Sequence, residues 1–157
     1  MSAYNHTLQQ IWHRYEEETG QMPATTRDAV AWGIERKLLR APEIDPLEKL
    51  AEDMATALRA EYRIDAQGRK YRVNHAVRIT RSGVQYTFWA DLDHAARPHM
   101  EKAFSQRRKQ IVNDCLQLKT DVDVYNDLHA DQPPIQLVLN FTDDVAEIEN
   151  LDRGKAA

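Results

Sequence analysis

The sequence predicts a mostly helical α+β fold, and three observations carry that expectation. Apolar residues recur at helical spacing through residues 4–62, alternate with polar ones from Tyr71 to Ala90, and return to helical spacing after Pro98. A chain of 157 residues is long enough to bury roughly two-thirds of its unfolded surface in one domain. An apolar fraction of 42% with 29% charged residues is ordinary for a globular protein and argues against whole-chain disorder.

The elements follow in order. Tyr4, Leu8, Ile11, Trp12 and Tyr15 share one helical face, so residues 4–19 read as an amphipathic helix stopped by Gly20. Thr25 or Thr26 supplies the cap of a second helix whose buried face would hold Val30, Ile34 and Leu38. Asp45-Pro46-Leu47-Glu48 opens a third, with an acidic cap and proline at the first helical position. Leu47, Leu50, Met54, Leu58 and Tyr62 mark its apolar face.

Near Gly68 the period changes. Tyr71, Val73, His75, Val77 and Ile79 alternate with Arg72, Asn74, Ala76, Arg78 and Thr80, which is the signature of a strand with one polar face. Arg81-Ser82-Gly83 turns the chain, and Val84 to Ala90 returns as a second strand, giving a β-hairpin. Phe104, Ile111, Cys115, Leu118, Val122 and Tyr125 then form a seam close to a heptad on a helix expected from about residue 97 to 129. At the usual rise that helix is about 50 Å long. Its seam can pack on the protein's own core or on a second copy, so a homo-oligomer through the long helix is one expectation. Residues 1–130 thus read as a single α+β domain. Residues 131–157 read as a Pro133-Pro134 linker, an apolar strand-like segment that can complete the same sheet, and a frayed acidic tail.

The net charge of −4 conceals a strong asymmetry. Residues 1–58 are net acidic, residues 59–120 hold 13 basic against 6 acidic groups, and residues 121–157 hold 2 against 9. A basic middle with an acidic tail fits a polyanion-binding surface, or a basic face that the tail covers. Arg69, Lys70, Arg72, Arg78 and Arg81 cluster along the hairpin, and Arg107, Arg108 and Lys109 on the next helix extend the patch. Guanidinium and ammonium groups so placed suit phosphate contact. The competing reading is a solvated face whose cations pair with nearby carboxylates. If Trp89 shares the polar strand face with Gln85 and Thr87, it is a platform for base stacking or for a protein partner.

The segment Gln136-Leu137-Val138-Leu139-Asn140-Phe141 carries a glutamine followed by alternating large hydrophobes. It resembles the short peptide by which bacterial polymerases and repair proteins dock on the DNA sliding clamp. The resemblance implies that Gln136 hydrogen-bonds at a pocket edge while Leu137, Leu139 and Phe141 fill apolar pockets. It covers six residues, and its last position is Phe where the six-residue version more commonly has Leu. The alternative is a C-terminal strand beside the hairpin.

No catalytic, cofactor or metal site is expected. His94 and His99 are separated by Pro98 and do not form a one-face helical pair, and a single cysteine, Cys115, supplies no second metal-ligand pair. Asp91, Asp93, Asp143 and Asp144 resemble a strand-end Mg²⁺ set only loosely, and capping explains them more cheaply, Asp93 for the long helix among them. One cysteine, no apolar run long enough to span a bilayer and no signal-peptide pattern at Met1–His6 point to a cytoplasmic protein without a membrane partner. The leading expectation is a non-enzymatic DNA-associated accessory protein that contacts phosphates through the basic hairpin, with the sliding clamp as a partner. The alternative is a protein-interaction module, an adaptor or inhibitor, that binds a protein without nucleic acid.

Overall fold

The structure, a computed structural model, describes residues 2–156. It is of α+β class and divides into two compact units, Met1–Ala51 and Glu52–Ala157.

The first unit is built on a pair of helices, α1 (Ala3–Thr19) and α2 (Thr26–Glu35). Ser2 caps α1, and Gly20 ends it at φ 63°, a left-handed conformation that glycine adopts without a Cβ penalty. Thr25 caps α2, accepting the Asp28 N–H at 3.1 Å. Ile11 and Tyr15 of α1 pack on Ala29 and Trp32 of α2, with Tyr15 meeting the Trp32 ring edge-on at 5.7 Å. The buried face of α2 is therefore rotated from the expected one, and Val30 and Ile34 are exposed. The large Trp32 ring takes the core position. Leu38 and Leu39 fold back onto the core after α2 has ended, so neither extends its helical face. Gly33 explains the close helix approach. A Cβ there would lie 3.1 Å from the Leu39 side chain and 3.2 Å from Ile11.

Helix α3 (Pro46–Ala60) runs across the boundary between the units. Asp45 opens it by accepting the Leu47 N–H at 3.1 Å. Its apolar residues Leu47, Leu50 and Met54 are exposed. The helix stops before Tyr62, which the periodicity places on its face and the structure places in a strand.

The second unit holds two antiparallel two-stranded sheets, β1 (Tyr62–Ile64) with β2 (Lys70–Arg72), and β3 (Asn74–Arg81) with β4 (Val84–Asp91). The expected continuous strand from Tyr71 to Ile79 is thus divided at Val73. Val73 donates its N–H to Glu61 and accepts the Leu92 N–H on its carbonyl, so one residue serves two ladders and cannot continue either. Ser82 and Gly83 close the β3–β4 hairpin with φ 49° and 76°, the pattern of a type I′ turn, which matches strand twist. Register opposes Ala76 to Trp89 and Arg78 to Thr87 on one face, and Val77 to Phe88 and His75 to Ala90 on the other.

Helix α4 (Arg97–Leu128) has nearly the expected span. Its cap is Ala96 rather than Asp93, with no side-chain capping bond. Asp93 is instead paired to Arg63 at 3.2 Å. The helix is fastened to β3. The Gln106 amide accepts the Arg78 N–H at 2.9 Å and donates to its carbonyl at 2.8 Å, closing the outer strand edge. His99 Nε2 donates to the His75 carbonyl at 2.9 Å. His75 is buried, as its alternation with core residues predicts. It donates from Nε2 to the Arg72 carbonyl at 2.9 Å and packs edge-on against Phe104.

Residues 135–141 form no strand with either sheet, contrary to the alternative of a third strand. They are tied to α4 where Asn126 both accepts the Ile135 N–H (2.8 Å) and donates to its carbonyl (2.9 Å). The acidic tail is a helix, α5 (Thr142–Ala156), where the sequence suggests fraying. Asp143 and Asp144 lie in its first turn and Arg153 and Lys155 in its last, each sign favourable to the helix dipole.

Candidate functional site

The site lies within the second unit, between the polar face of the β3–β4 hairpin and the first half of α4. An open groove of about 700 Å³ is lined there by Arg59, Arg72, Arg78, Arg107 and Lys109, with Asp114 as its one carboxylate. Each cation arrives from a different place. Arg59 is on the last turn of α3, Arg72 ends β2, Arg78 is on the outward face of β3, and Arg107 and Lys109 project from α4. The Gln106–Arg78 backbone clamp brings α4 beside β3 and so sets the separation of the two walls.

The other predicted cations are placed elsewhere. Arg69 sits in the β1–β2 turn and is held by Asp65, 2.6 Å from Nε to Oδ2. Lys70 lies 4.8 Å over the Tyr62 ring. Arg81 is at the hairpin tip, and Arg108 lines a second, apolar groove that shares Arg107 and Ile111 with the first. The structure therefore brings together Arg72, Arg78, Arg107 and Lys109 and does not gather Arg69, Lys70, Arg81 and Arg108 around the same groove. Arg59 joins the first four, and so does Trp89, on the polar strand face where the sequence offered it as a platform. Arg59 was visible only as one of several arginines in sequence, because the end of a helix gives no signal of what it faces. Trp89 is opposite Ala76, on the polar face, half-buried at the groove wall with the Arg59 guanidinium 5.3 Å from its ring centroid.

Among the described residues some cations are paired and others are not, Lys70, Arg81 and Arg108 outside the groove being among the unpaired. Arg63, Arg69 and Arg97 each meet a carboxylate. Among the described residues, Arg59, Arg72, Arg78, Arg107 and Lys109 form no ion pair; Arg72 donates instead to the Tyr62 hydroxyl at 3.2 Å. Five like charges around one groove repel each other, and an anion entering between them relieves that repulsion.

The carboxylates nearby have other work. Asp65 accepts the Arg69 backbone N–H at 2.8 Å, its guanidinium, and the Gln67 N–H, and these hold its carboxyl below the usual carboxylate range. The His94 backbone N–H and imidazole do the same to Asp91. Asp91 and Asp93 are thus each engaged by a neighbour of opposite or donating character. Among the described residues there is no cluster of three or more His, Cys, Asp or Glu side chains able to hold a metal ion, and no helix is long and apolar enough to cross a membrane.

The segment that resembles a clamp-docking peptide is exposed along most of its length. Gln136 and Val138 are exposed and Leu137 is 37% exposed, whereas Leu139 and Phe141 line an apolar groove of about 500 Å³ with Phe104, Ile111, Val112 and Cys115 of α4. Two of its three apolar anchors are therefore already in contact with the protein's own helix. No protein-family model, no curated protein and no solved structure shows significant similarity to this chain.

Proposed function

We propose that the protein is a non-enzymatic DNA-associated accessory protein that holds a phosphate backbone in the groove between the β3–β4 hairpin and α4. One observation carries the reading: Arg59, Arg72, Arg78, Arg107 and Lys109 converge on one groove with a single carboxylate and no ion pair among the described residues. Cations at an ordinary solvated face are scattered or matched by neighbouring carboxylates, as Arg69 and Arg63 are here. Arginine and lysine without internal counter-charges exchange loosely held ions for phosphates on binding, and the released counterions drive association. Trp89 at the same wall adds an aromatic surface of the kind that stacks on unpaired bases.

The test is fluorescence anisotropy with labelled single- and double-stranded DNA across a salt series. Five phosphate contacts predict a slope of log K against log salt of about −4.5 on duplex or about −3.5 on single strands. Replacing Arg72 and Arg78 by Ala removes about two contacts and flattens the duplex slope by about two. No binding at low salt, or a slope that the double variant leaves unchanged, refutes the reading.

A second reading, a protein-interaction module, is favoured by the exposed apolar residues of α4 and of the 135–141 segment. In its clamp-docking form, Leu139 and Phe141 must leave the α4 groove before they fill a partner's pockets. Binding of the isolated 131–146 peptide to a bacterial sliding clamp more tightly than the whole chain is the expected result, and no binding of the peptide rejects it.

A further inference from the structure

We propose that two copies of this chain pair through the α4 seam, antiparallel, with the two-fold axis near residues 114 and 115. This inference does not rest on the nucleic-acid reading, although Ile111 of the seam also lines the cationic groove. Phe104, Ile111, Leu118 and Tyr125 lie along one line of α4 and are each between 44% and 52% exposed. Half-buried Cys115 and Val122 lie beside that line. The four exposed residues are evenly spaced about one midpoint. Ile111 and Leu118 are equidistant from the point between residues 114 and 115, and so are Phe104 and Tyr125. An antiparallel partner therefore sets Ile111 against Leu118 and Phe104 against Tyr125 in one register.

Charge selects the same orientation. Residues 97–110 of α4 carry five basic groups and one acidic, whereas residues 111–128 carry one basic and four acidic. Parallel pairing places like halves together, and antiparallel pairing places each basic half beside an acidic one. Leu139 and Phe141 already share an apolar groove of about 500 Å³ with Phe104, Ile111 and Cys115 of the seam, so a partner helix meets the parts of those side chains that remain exposed and the apolar edge of the 139–141 segment beside them.

Sedimentation equilibrium of the full chain tests the pairing. The expected mass is twice 18.2 kDa, and Ile111→Asp with Leu118→Asp shifts it to the monomer with unchanged far-UV circular dichroism. Orientation is read in a Cys115→Ser background by mixing one variant carrying Ile111→Cys with another carrying Leu118→Cys. Antiparallel pairing oxidises the mixture to a disulfide between unlike variants. Each variant alone stays unlinked, because its two thiol positions then lie about 10 Å apart along the axis, beyond disulfide reach. A monomeric mass up to hundreds of micromolar protein overturns the dimer. Self-linking of each variant alone overturns the antiparallel arrangement.

Discussion

Replacing Asn126 by Ala tests what holds residues 135–141 against α4. The Asn126 side chain makes two hydrogen bonds to the Ile135 backbone, at 2.8 and 2.9 Å, both solvent-exposed. Exposed neutral bonds of this kind contribute about 0.5–1 kcal/mol each, so their joint loss costs about 1–2 kcal/mol of local stability. Segment opening then becomes roughly 5- to 30-fold more frequent. Phe141 sets the comparison. It is 43% exposed, and burying the rest of a side chain of about 200 Å² removes roughly 110 Å² from water, worth about 3 kcal/mol. Apolar contact therefore outweighs the amide clamp, and Phe141→Ala opens the segment further than Asn126→Ala. Cleavage beyond Pro134 by a protease at low concentration measures both. Asn126→Asp keeps the acceptor for the Ile135 N–H and recovers part of the loss. Cleavage unchanged in Asn126→Ala, or faster than in Phe141→Ala, refutes this ordering of forces.

Two further perturbations address the scaffold of the site. Val73 is fully buried where the two sheets share a residue, so Val73→Ala costs about 2 kcal/mol of unfolding free energy, read from the urea midpoint. Asp65 has its carboxyl held below the usual range by the Arg69 N–H and guanidinium. A lowered folded-state value means that its contribution is present above the ordinary carboxylate range and is lost as pH falls through the folded-state value. The Arg69 amide resonance accordingly shifts with a midpoint below that range, and Asp65→Asn abolishes the titration while leaving the β3–β4 resonances in place.

The sequence alone determined the local elements, because their signals are local. Thr25, Asp45 and Gly20 mark helix ends through bonds or dihedrals that span a few residues. Ser82-Gly83 marks the hairpin through positive φ, and the absence of internal glycine and of proline beyond the first turn marks the span of α4. Charge asymmetry likewise told which third of the chain is basic. Only the tertiary structure decided the break at Val73, since alternation continues through it unchanged and the cause is two ladder bonds to residues far apart in sequence. It also decided that residues 135–141 lie on a helix and not in a sheet, which an apolar run of six or seven residues does not distinguish. Which cations share a groove was decided there as well. Arg69 and Arg72 are three apart in sequence, yet Asp65 takes one, while the fold carries the other to the same groove as Arg59 and Lys109. Convergence of charge depends on distances between elements, and a linear pattern holds no record of them.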